Sequence, residues 1–401
     1  MKISSLLLGG WLLLAGGVVG AEVAGEMQPA QTLAQYRELS ATLRQLDRAQ
    51  TAAELSRLGL ERPLPPRYAK RFGFDPRQPA EFYRTPEGRR IADAVLSYQT
   101  PSGGWSKRTD MGASPRQAGQ AFGVEKNYIP TFDNSATSTQ FWIMARAYGA
   151  TGDKRYAAAA ERALRLILLA QYPNGGWPQS FPLRGKYHEL LTFNDGVTFE
   201  LLSIVRAAAQ SEEGLQFLPE ALRARAADSL QRGLQMLLKT QVVSDGRTTI
   251  WGAQHDPETL KPAAARAFEP ASLATAESAD LVLFLMELER PSVEIKRAIE
   301  SAHDWFAANQ KKGYRWAKGE HDYKELLPAA NTDPLWARFY EIGSNRPIFG
   351  DRDGAVYYDI RKVSQERLRG YGWYTEHPYK VLKRFPDWRE RHKPQKFEAV
   401  R

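Results

Sequence analysis

The chain has 401 residues, of which 43% are hydrophobic, so it is long enough for two or three domains and can bury a sizeable core. It contains no cysteine, which excludes disulfides and thiolate metal sites. Its formal net charge of +9 favours an acidic partner. The basic residues are interspersed with acidic ones and form no Lys/Arg-rich run, which argues against nucleic acid and favours an acidic polysaccharide.

The N-terminus has the pattern of a secretory signal. Lys2 precedes an apolar run from Leu6 to Val19, and a small-residue cleavage pattern ends at Ala21. We therefore expect residues 1–21 to be a signal peptide and the protein to be secreted or periplasmic, without a membrane span. We expect it to be a monomer. Residues 22–84 predict a helical lead-in with a proline-rich connector, and residues 85–401 a single main domain.

The main domain contains a repeat of about 70 residues. Each copy predicts a helix that ends in a glutamine and is followed by a Gly- and Trp-containing turn. These helices are predicted over residues 87–98, 155–170, 222–239 and 293–309, with turn tryptophans Trp105, Trp177, Trp251 and Trp316. Further helices are predicted between them, over 135–148, 196–208 and 272–288.

A period of two helices and one loop predicts a mainly α fold, an α/α toroid built as a ring of helical hairpins. Each hairpin of such a ring buries its apolar face against its neighbours. The loops of one polarity then gather on one face of the ring. We expect a cleft and the functional site on that face.

The segment 331–354 shows neither helical nor strand periodicity and predicts a long structured loop. It carries Arg338, Arg346 and Arg352. Guanidinium groups match carboxylates or phosphates, so these arginines indicate an anionic ligand. The alternative is an ion-pair network with the aspartates of the same segment that fastens the loop to the body.

Two similar motifs precede the intervening helices. They are Thr131-Phe132-Asp133-Asn134 and Thr192-Phe193-Asn194-Asp195. Each could simply cap its helix, because Asp and Asn side chains accept free backbone N–H groups. Together they would bring two carboxylates to one face, which is how a Ca²⁺ site with oxygen ligands is assembled.

The third connector carries His255 and Arg266. His255 is either a core residue or part of an aromatic wall of the cleft. Arg266 follows a run of small residues, so its side chain could project into a cleft. The alternative for Arg266 is a salt bridge to Glu269 or Glu277.

Eight stretches, in order along residues 95–374, resemble the pectate lyases of polysaccharide lyase family 10. They read GGW (103–105), TFDN (131–134), QYPNGGWPQ (171–179), TFND (192–195), WGAQHDP (251–257), ARAFE (265–269), PLWARFYEIGSNRPIFGDRDG (334–354) and GYGWY (370–374). The resemblance implies an exported, calcium-dependent α/α toroid that cleaves polygalacturonate by anti β-elimination. The stretch 187–191, before TFND, departs from the family pattern.

The resemblance also implies residue roles. Arg266 falls at the position of the base that removes the C5 proton, and we expect Ca²⁺ and neighbouring arginines to lower its pKa. Asp133 and Asp195 fall on carboxylates that hold Ca²⁺ and substrate, and Arg338 and Arg352 on arginines that bind substrate carboxylates. The further substrate-binding candidates are Asn134, Asn194, Arg346, Lys107, Trp105, Trp177 and His255.

Two other functions fit the same residues. An inverting glycoside hydrolase would use two carboxyl groups from Asp133, Asp195 and Asp256. A non-catalytic glycan-binding protein would use Trp105, Trp177 and Trp251 as stacking surfaces, although such aromatics can equally belong to the core.

Overall fold

The computed structural model describes residues 27–393, so the predicted signal peptide lies outside the described residues. The chain is mainly α, as predicted. Its α-helices within this range are α1 (Leu33–Leu58), α2 (Pro86–Ser97), α3 (Ser138–Thr151), α4 (Lys154–Leu169), α5 (Val197–Gln210), α6 (Glu220–Thr240), α7 (Thr275–Met286), α8 (Val293–Ala308), α9 (Gln365–Gly370) and α10 (Tyr379–Arg391). In residues 27–393, no helix has the length and apolar character needed to cross a membrane.

Helices α3 to α8 form three consecutive hairpins. The two helices of each hairpin pack on each other; α3, α5 and α7 form one row, and α4, α6 and α8 form a second row. This stacking of hairpins in two rows is the packing expected of the α/α toroid class. The predicted bounds of these six helices and of α2 agree with the structure to within about three residues, because the apolar faces repeat at helical spacing.

We call α2, α4, α6 and α8 the outer helices, and a tryptophan joins the end of each of them to the turn that follows. The indole N–H groups of four buried tryptophans donate to a carbonyl near the end of α2, α4, α6 and α8: Trp105 to Val95 (2.7 Å), Trp177 to Ile167 (2.9 Å), Trp251 to Leu237 (2.8 Å) and Trp336 to Phe306 (3.0 Å). The prediction of Trp316 as the fourth member is wrong. A hairpin of strands over 314–328 is inserted at that point, and Trp336 takes the position.

Glutamines fasten each outer helix to the next. The side-chain amide of Gln99 donates to Gly103 in its own turn (2.8 Å) and to Ala159 in α4 (2.9 Å). Gln171 and Gln241 repeat this pair of bonds, reaching α6 and α8 respectively. These buried bonds satisfy the glutamine amides and join each turn to the middle of the following helix in the row.

Helix α1 packs on the same core as the hairpins. The Tyr36 hydroxyl donates to the carbonyl of Ala170 at the end of α4 (2.7 Å), and the backbone N–H of Ser102 donates to Asp47 (2.8 Å). Both bonds join α1 to turns between outer helices. The lead-in is therefore a single long helix that lies against those turns.

The segment 331–354 is not the irregular loop that was predicted. The strands of the described chain are β1 (Leu191–Thr192), β2 (Val243–Ser244), β3 (Arg247–Thr248), β4 (Gln254–His255), β5 (Leu273–Ala274), β6 (Tyr314–Lys318), β7 (Lys324–Pro328), β8 (Trp336–Ala337), β9 (Phe339–Tyr340), β10 (Pro347–Gly350), β11 (Val356–Tyr357) and β12 (Tyr374–Thr375). Three of them, β8, β9 and β10, fall in this segment. Most of these strands have two residues, which is too short to leave an alternating pattern in the sequence.

An antiparallel sheet of order β11-β10-β9-β5 brings this segment to the start of α7. The end of β10 lies against the connector that carries Arg266. A Cβ at Gly350 would stand 2.5 Å from the carbonyl oxygen of Phe268, so only glycine allows this approach. The sheet therefore brings the arginine-rich segment and the Arg266 connector together.

Candidate active site

The two Thr-Phe motifs have the same backbone. Each forms a short 3₁₀ turn whose middle residue, Asn134 or Asp195, has a positive φ of 51° or 54°. Asn and Asp tolerate this left-handed conformation better than most residues. Neither motif caps the following helix, because α3 and α5 begin without a side-chain cap. The capping alternative is therefore wrong for both motifs.

The two motifs meet side by side. Asn134 Nδ2 donates to Asp195 Oδ2 at 3.2 Å. Asp133 is buried, whereas Asp195 lies at the surface of the site. Desolvation, together with the charges of Asp133 and Glu277, raises the pKa of Asp195 to about 6, against an opposing effect of Arg338. The motifs thus bring together carboxylates that repel each other.

Two side chains bind the carboxylate group of Asp133. Lys107 forms a buried ion pair with Asp133 Oδ2, and Gln179 Nε2 donates to Asp133 Oδ1 at 3.0 Å. The Lys107 Nζ atom also stands 3.5 Å from the ring centroid of Tyr128. Lys107 is therefore a support for Asp133, and its charge offsets part of the carboxylate repulsion.

Arg338 joins the second motif to the third hairpin. Its guanidinium donates to Asn194 Oδ1 and to Glu277 Oε1, both at 2.7 Å. Burial lowers the pKa of Arg338, but Glu277 and other negative groups outweigh this and raise it. Glu277 Oε2 and Arg338 Nε are buried without a hydrogen-bond partner in residues 27–393. Polar atoms without a hydrogen-bond partner in the described chain thus lie close to Asp195.

Arg266 forms a two-pronged ion pair with Glu269. Nε donates to Oε2 at 2.7 Å and a terminal nitrogen to Oε1 at 2.5 Å. The Tyr371 hydroxyl donates to the same Oε1 at 2.7 Å. Burial lowers the pKa of Arg266, but the bonds and charge of Glu269 outweigh it and raise the pKa above its ordinary value. Glu269 therefore opposes the lowering of the pKa that is expected from Ca²⁺ and neighbouring arginines.

The remaining two arginines of segment 331–354 differ in position. Arg352 stands over the ring of Phe268, 5.5 Å from its centroid, and pairs with Glu366 at 3.2 Å on the surface. It therefore lies beside the Arg266 connector. Arg346 is exposed and stacks on Tyr358, 3.9 Å from the ring centroid. None of the contacts of Arg346 within the described chain reaches Asp133, Asp195 or Arg266.

Three predicted cleft residues are buried in the core instead. Trp105, Trp177 and His255 have no exposed surface, so none of them can touch a sugar ring in this structure. His255 accepts from the N–H of Gly252 (3.0 Å) and bonds to the carbonyl of Leu260 (2.8 Å), and burial lowers its pKa to about 4. Trp251 is equally buried, which removes the stacking surfaces of the binding-protein alternative.

Three side chains of the site, Gln179, His188 and Tyr371, were not singled out from the sequence, and Glu277 was considered only as a partner of Arg266. Glu277 and Tyr371 bond to Arg338 and Glu269, and Gln179 supports Asp133. His188 in turn bonds to Gln179 Oε1 at 2.7 Å. Gln179 and Tyr371 lie in the QYPNGGWPQ and GYGWY stretches, so the motifs contained a signal for them. His188 lies in the stretch that departs from the family pattern.

We call the six interacting charged residues Asp133, Asp195, Arg266, Glu269, Glu277 and Arg338 the charged cluster. Five of them come from four connectors and Glu277 from the first turn of α7, and together they lie on one face. The Pectic acid lyase family model matches residues 99–382, which contain all six. The chain belongs to this lyase family.

Solved structures agree with this assignment. This lyase is 31% identical to the family 10 polysaccharide lyase from Cellvibrio cellulosa, with a TM-score of 0.69, and the match covers 77% of this chain and 94% of that one. An aspartate-to-alanine mutant of the Cellvibrio enzyme in complex with trigalacturonic acid matches with the same identity and TM-score, covering 95% of its chain. A search of curated proteins finds no significant match. The lyase is thus a member of polysaccharide lyase family 10.

Proposed function

We propose that this lyase cleaves α-1,4-polygalacturonate by anti β-elimination and releases oligogalacturonates with a 4,5-unsaturated end. The observation that carries the proposal is the convergence of Arg266, Arg338 and Arg352 with two acidic turns on one loop face. The trigalacturonic acid bound to the Cellvibrio relative supports the same substrate class.

The arginines suit a polyuronate better than a neutral glycan. A guanidinium recognises a carboxylate with two parallel hydrogen bonds. Arg352 is exposed and its partner Glu366 is exposed too, so a substrate carboxylate can compete for it at little cost. Arg338 is buried, but its Nε has no partner in the described chain. A neutral sugar would use neither of these positive charges.

The acidic side of the site fits Ca²⁺. Asp133 and Asp195 offer the hard oxygen ligands that Ca²⁺ prefers, and their mutual repulsion would be relieved by a cation. No three acidic or histidine side chains of the described chain stand close enough to hold a metal by themselves. Carboxylates of the substrate would therefore complete the coordination. When bound, the ion would stabilise negative charge on the uronate carboxylate.

Arg266 is the base of the proposed reaction. In its neutral form it takes the proton from C5, and the electrons of that C–H bond form the C4–C5 double bond. The C4–O bond breaks, and the leaving glycosidic oxygen receives a proton from water. Arg338 and Arg352 hold uronate carboxylates and favour the negative charge that develops at C5. Arg266 must lose its own proton before it can accept one, and the Glu269 pair favours the protonated form. Even with Ca²⁺ and neighbouring arginines lowering its pKa, the neutral form is favoured only at high pH, so we expect an alkaline optimum.

The hydrolase alternative is less well supported. It requires a carboxylic acid that stays protonated near neutral pH, and Asp195, with a pKa raised to about 6, comes close to this requirement. However, a hydrolase of neutral glycans would give Arg266, Arg338 and Arg352 no role. Hydrogen bonds from Thr259 and Glu258 lower the pKa of Asp256, which stabilises its ionised form.

We also propose that the lyase acts as a monomer, outside the cytoplasm.

Ultraviolet absorbance of the conjugated C4–C5 double bond tests the proposal. Polygalacturonate is incubated at alkaline pH with Ca²⁺ or with a chelator. We expect absorbance to rise with Ca²⁺ and the chelator to abolish the rise. New reducing ends without absorbance would indicate hydrolysis and contradict elimination; absorbance that survives the chelator would contradict the role of Ca²⁺.

A further inference from the structure

Glu269 is in the charged cluster, yet the proposed reaction gives it no role. Its side chain is buried, with 8% exposed, whereas the side chain of Arg266 is 42% exposed. The carboxylate therefore lies beneath the guanidinium and leaves part of Arg266 open to the cleft. Such a geometry is suited to holding a side chain in place rather than to contacting substrate.

Glu269 binds only one edge of the Arg266 guanidinium. That edge is formed by Nε and one terminal nitrogen, so the other terminal nitrogen remains available. The backbone strengthens the arrangement, because Glu269 N donates to the carbonyl of Arg266 at 2.8 Å. A short turn thus fixes both partners, and the Tyr371 hydroxyl adds a third hydrogen bond to the carboxylate, at Oε1.

We propose that Glu269 is a positioning residue that orients Arg266 through this ion pair and sets the pH at which Arg266 releases its proton. The proposal rests on the proposed function for its effect on catalysis, but the ion pair itself can be tested without it. The charged or titratable groups whose fields reach this pair are Tyr371, Arg338, Tyr187, His188 and Arg352. Glu269 is the carboxylate in direct contact with Arg266.

The direction in which the pKa of Arg266 should change follows from the negative charge of Glu269. A carboxylate favours the protonated guanidinium, so its removal lowers the pKa of Arg266 and makes the neutral form available at lower pH. Glu269→Gln preserves the shape of the side chain without its charge. Glu269→Asp preserves the charge but shortens the side chain by one methylene, so it keeps the pH dependence and loosens the orientation.

The experiment measures the modification of Arg266 by phenylglyoxal, which reacts with the neutral guanidine, as a function of pH and by peptide mass spectrometry. We expect the pH profile of Glu269→Gln to move down by about one unit or more, and that of Glu269→Asp to stay near wild type. The matched control is Asp359→Asn, which removes a two-pronged partner of Arg361 at the surface. It should leave the Arg266 profile unchanged.

The pH dependence of kcat/KM for elimination is measured on the same proteins. We expect its rising limb to move to lower pH in Glu269→Gln, with a lower plateau from the lost orientation. An unchanged modification profile in Glu269→Gln would overturn the proposal, whatever happens to activity. A shifted modification profile in an enzyme that forms no double bond would retain the ion pair's role and contradict the proposed function instead.

Discussion

The tryptophan turns and all of the charged cluster except Glu277 lie in the same connectors, but only the tryptophan turns repeat. The tryptophan turns, Trp105, Trp177, Trp251 and Trp336, repeat one hydrogen bond four times. In the charged cluster, Arg266 and Arg338 occur once each and have different partners. The repeated residues build the scaffold, and the residues that break the repeat supply the chemistry.

The two Thr-Phe motifs have a part that repeats and a part that does not. Their backbones repeat, and in each the carbonyl of Thr131 or Thr192 accepts a threonine hydroxyl at 2.8 Å. Their charges alternate, because Asp133 corresponds to Asn194 and Asn134 to Asp195. Each turn therefore contributes a single carboxylate. If all four positions of the two turns carried aspartate, the four carboxylates would repel one another strongly.

Replacement of Arg266 should have the largest effect on rate. We expect Arg266→Ala to lower kcat by roughly 10²- to 10⁴-fold, which is the usual contribution of a general base. The melting temperature should also fall, because the buried carboxylate of Glu269 loses its two-pronged partner, so kcat is compared for the folded fraction. Steady-state kinetics and thermal unfolding measure the two effects.

The matched control for this prediction is Arg361→Ala. Arg361 forms the same kind of two-pronged pair, with Asp359, on an exposed part of the chain. It should keep wild-type kinetics. An Arg266→Ala enzyme with near wild-type kcat would remove Arg266 from the chemistry.

Replacement of a turn tryptophan should have the largest effect on stability. Trp177→Ala removes a fully buried side chain and leaves the carbonyl of Ile167 without its donor. Large-to-small changes of this kind cost about 3–5 kcal/mol. The folded fraction should retain kcat and KM, because Trp177 does not reach the cleft. Chemical denaturation measures the first effect, and kinetics at low temperature measure the second.

The smallest effect in this comparison is expected at Arg352. Its ion pair with Glu366 is exposed, so Arg352→Ala should leave the melting temperature close to wild type. KM for polygalacturonate should rise several-fold, because one carboxylate contact is lost, and added salt should reduce the difference. An unchanged KM at low ionic strength would place Arg352 outside the substrate path.

The sequence predicted the hairpins well because an apolar helical face is a local pattern. The motifs drew attention to Arg266, Arg338 and the two acidic turns, which lie together in the structure, and the roles of these residues stay predictions. The prediction failed for Trp316, since the inserted β6–β7 hairpin changed the spacing of the last turn. It also placed Trp105 and Trp177 in the cleft, which is wrong, because burial depends on packing between distant helices.

The partners of the site residues were harder to predict than the residues themselves. Both Glu269 and Glu277 were candidates for Arg266, and spacing alone could not choose between them. In the structure Glu269 takes Arg266, and Glu277 pairs with Arg338, which is 61 residues further along the chain. This choice depends on how β9 pairs with β5 at the start of α7. Strands of two residues leave no sequence pattern from which such a long-range pairing could be predicted.

The division between scaffold and chemistry is tested most directly by measuring kcat and melting temperature together for Trp177→Phe and Arg266→Lys. The first change keeps an aromatic ring but removes the indole N–H, and the second keeps a positive charge but removes the guanidinium. We predict a crossed result, in which Trp177→Phe loses thermal stability and keeps kcat, whereas Arg266→Lys keeps its stability and loses kcat by at least ~10²-fold. Loss of kcat in Trp177→Phe, or nearly full activity of Arg266→Lys across the pH range with unchanged substrate affinity, would contradict it.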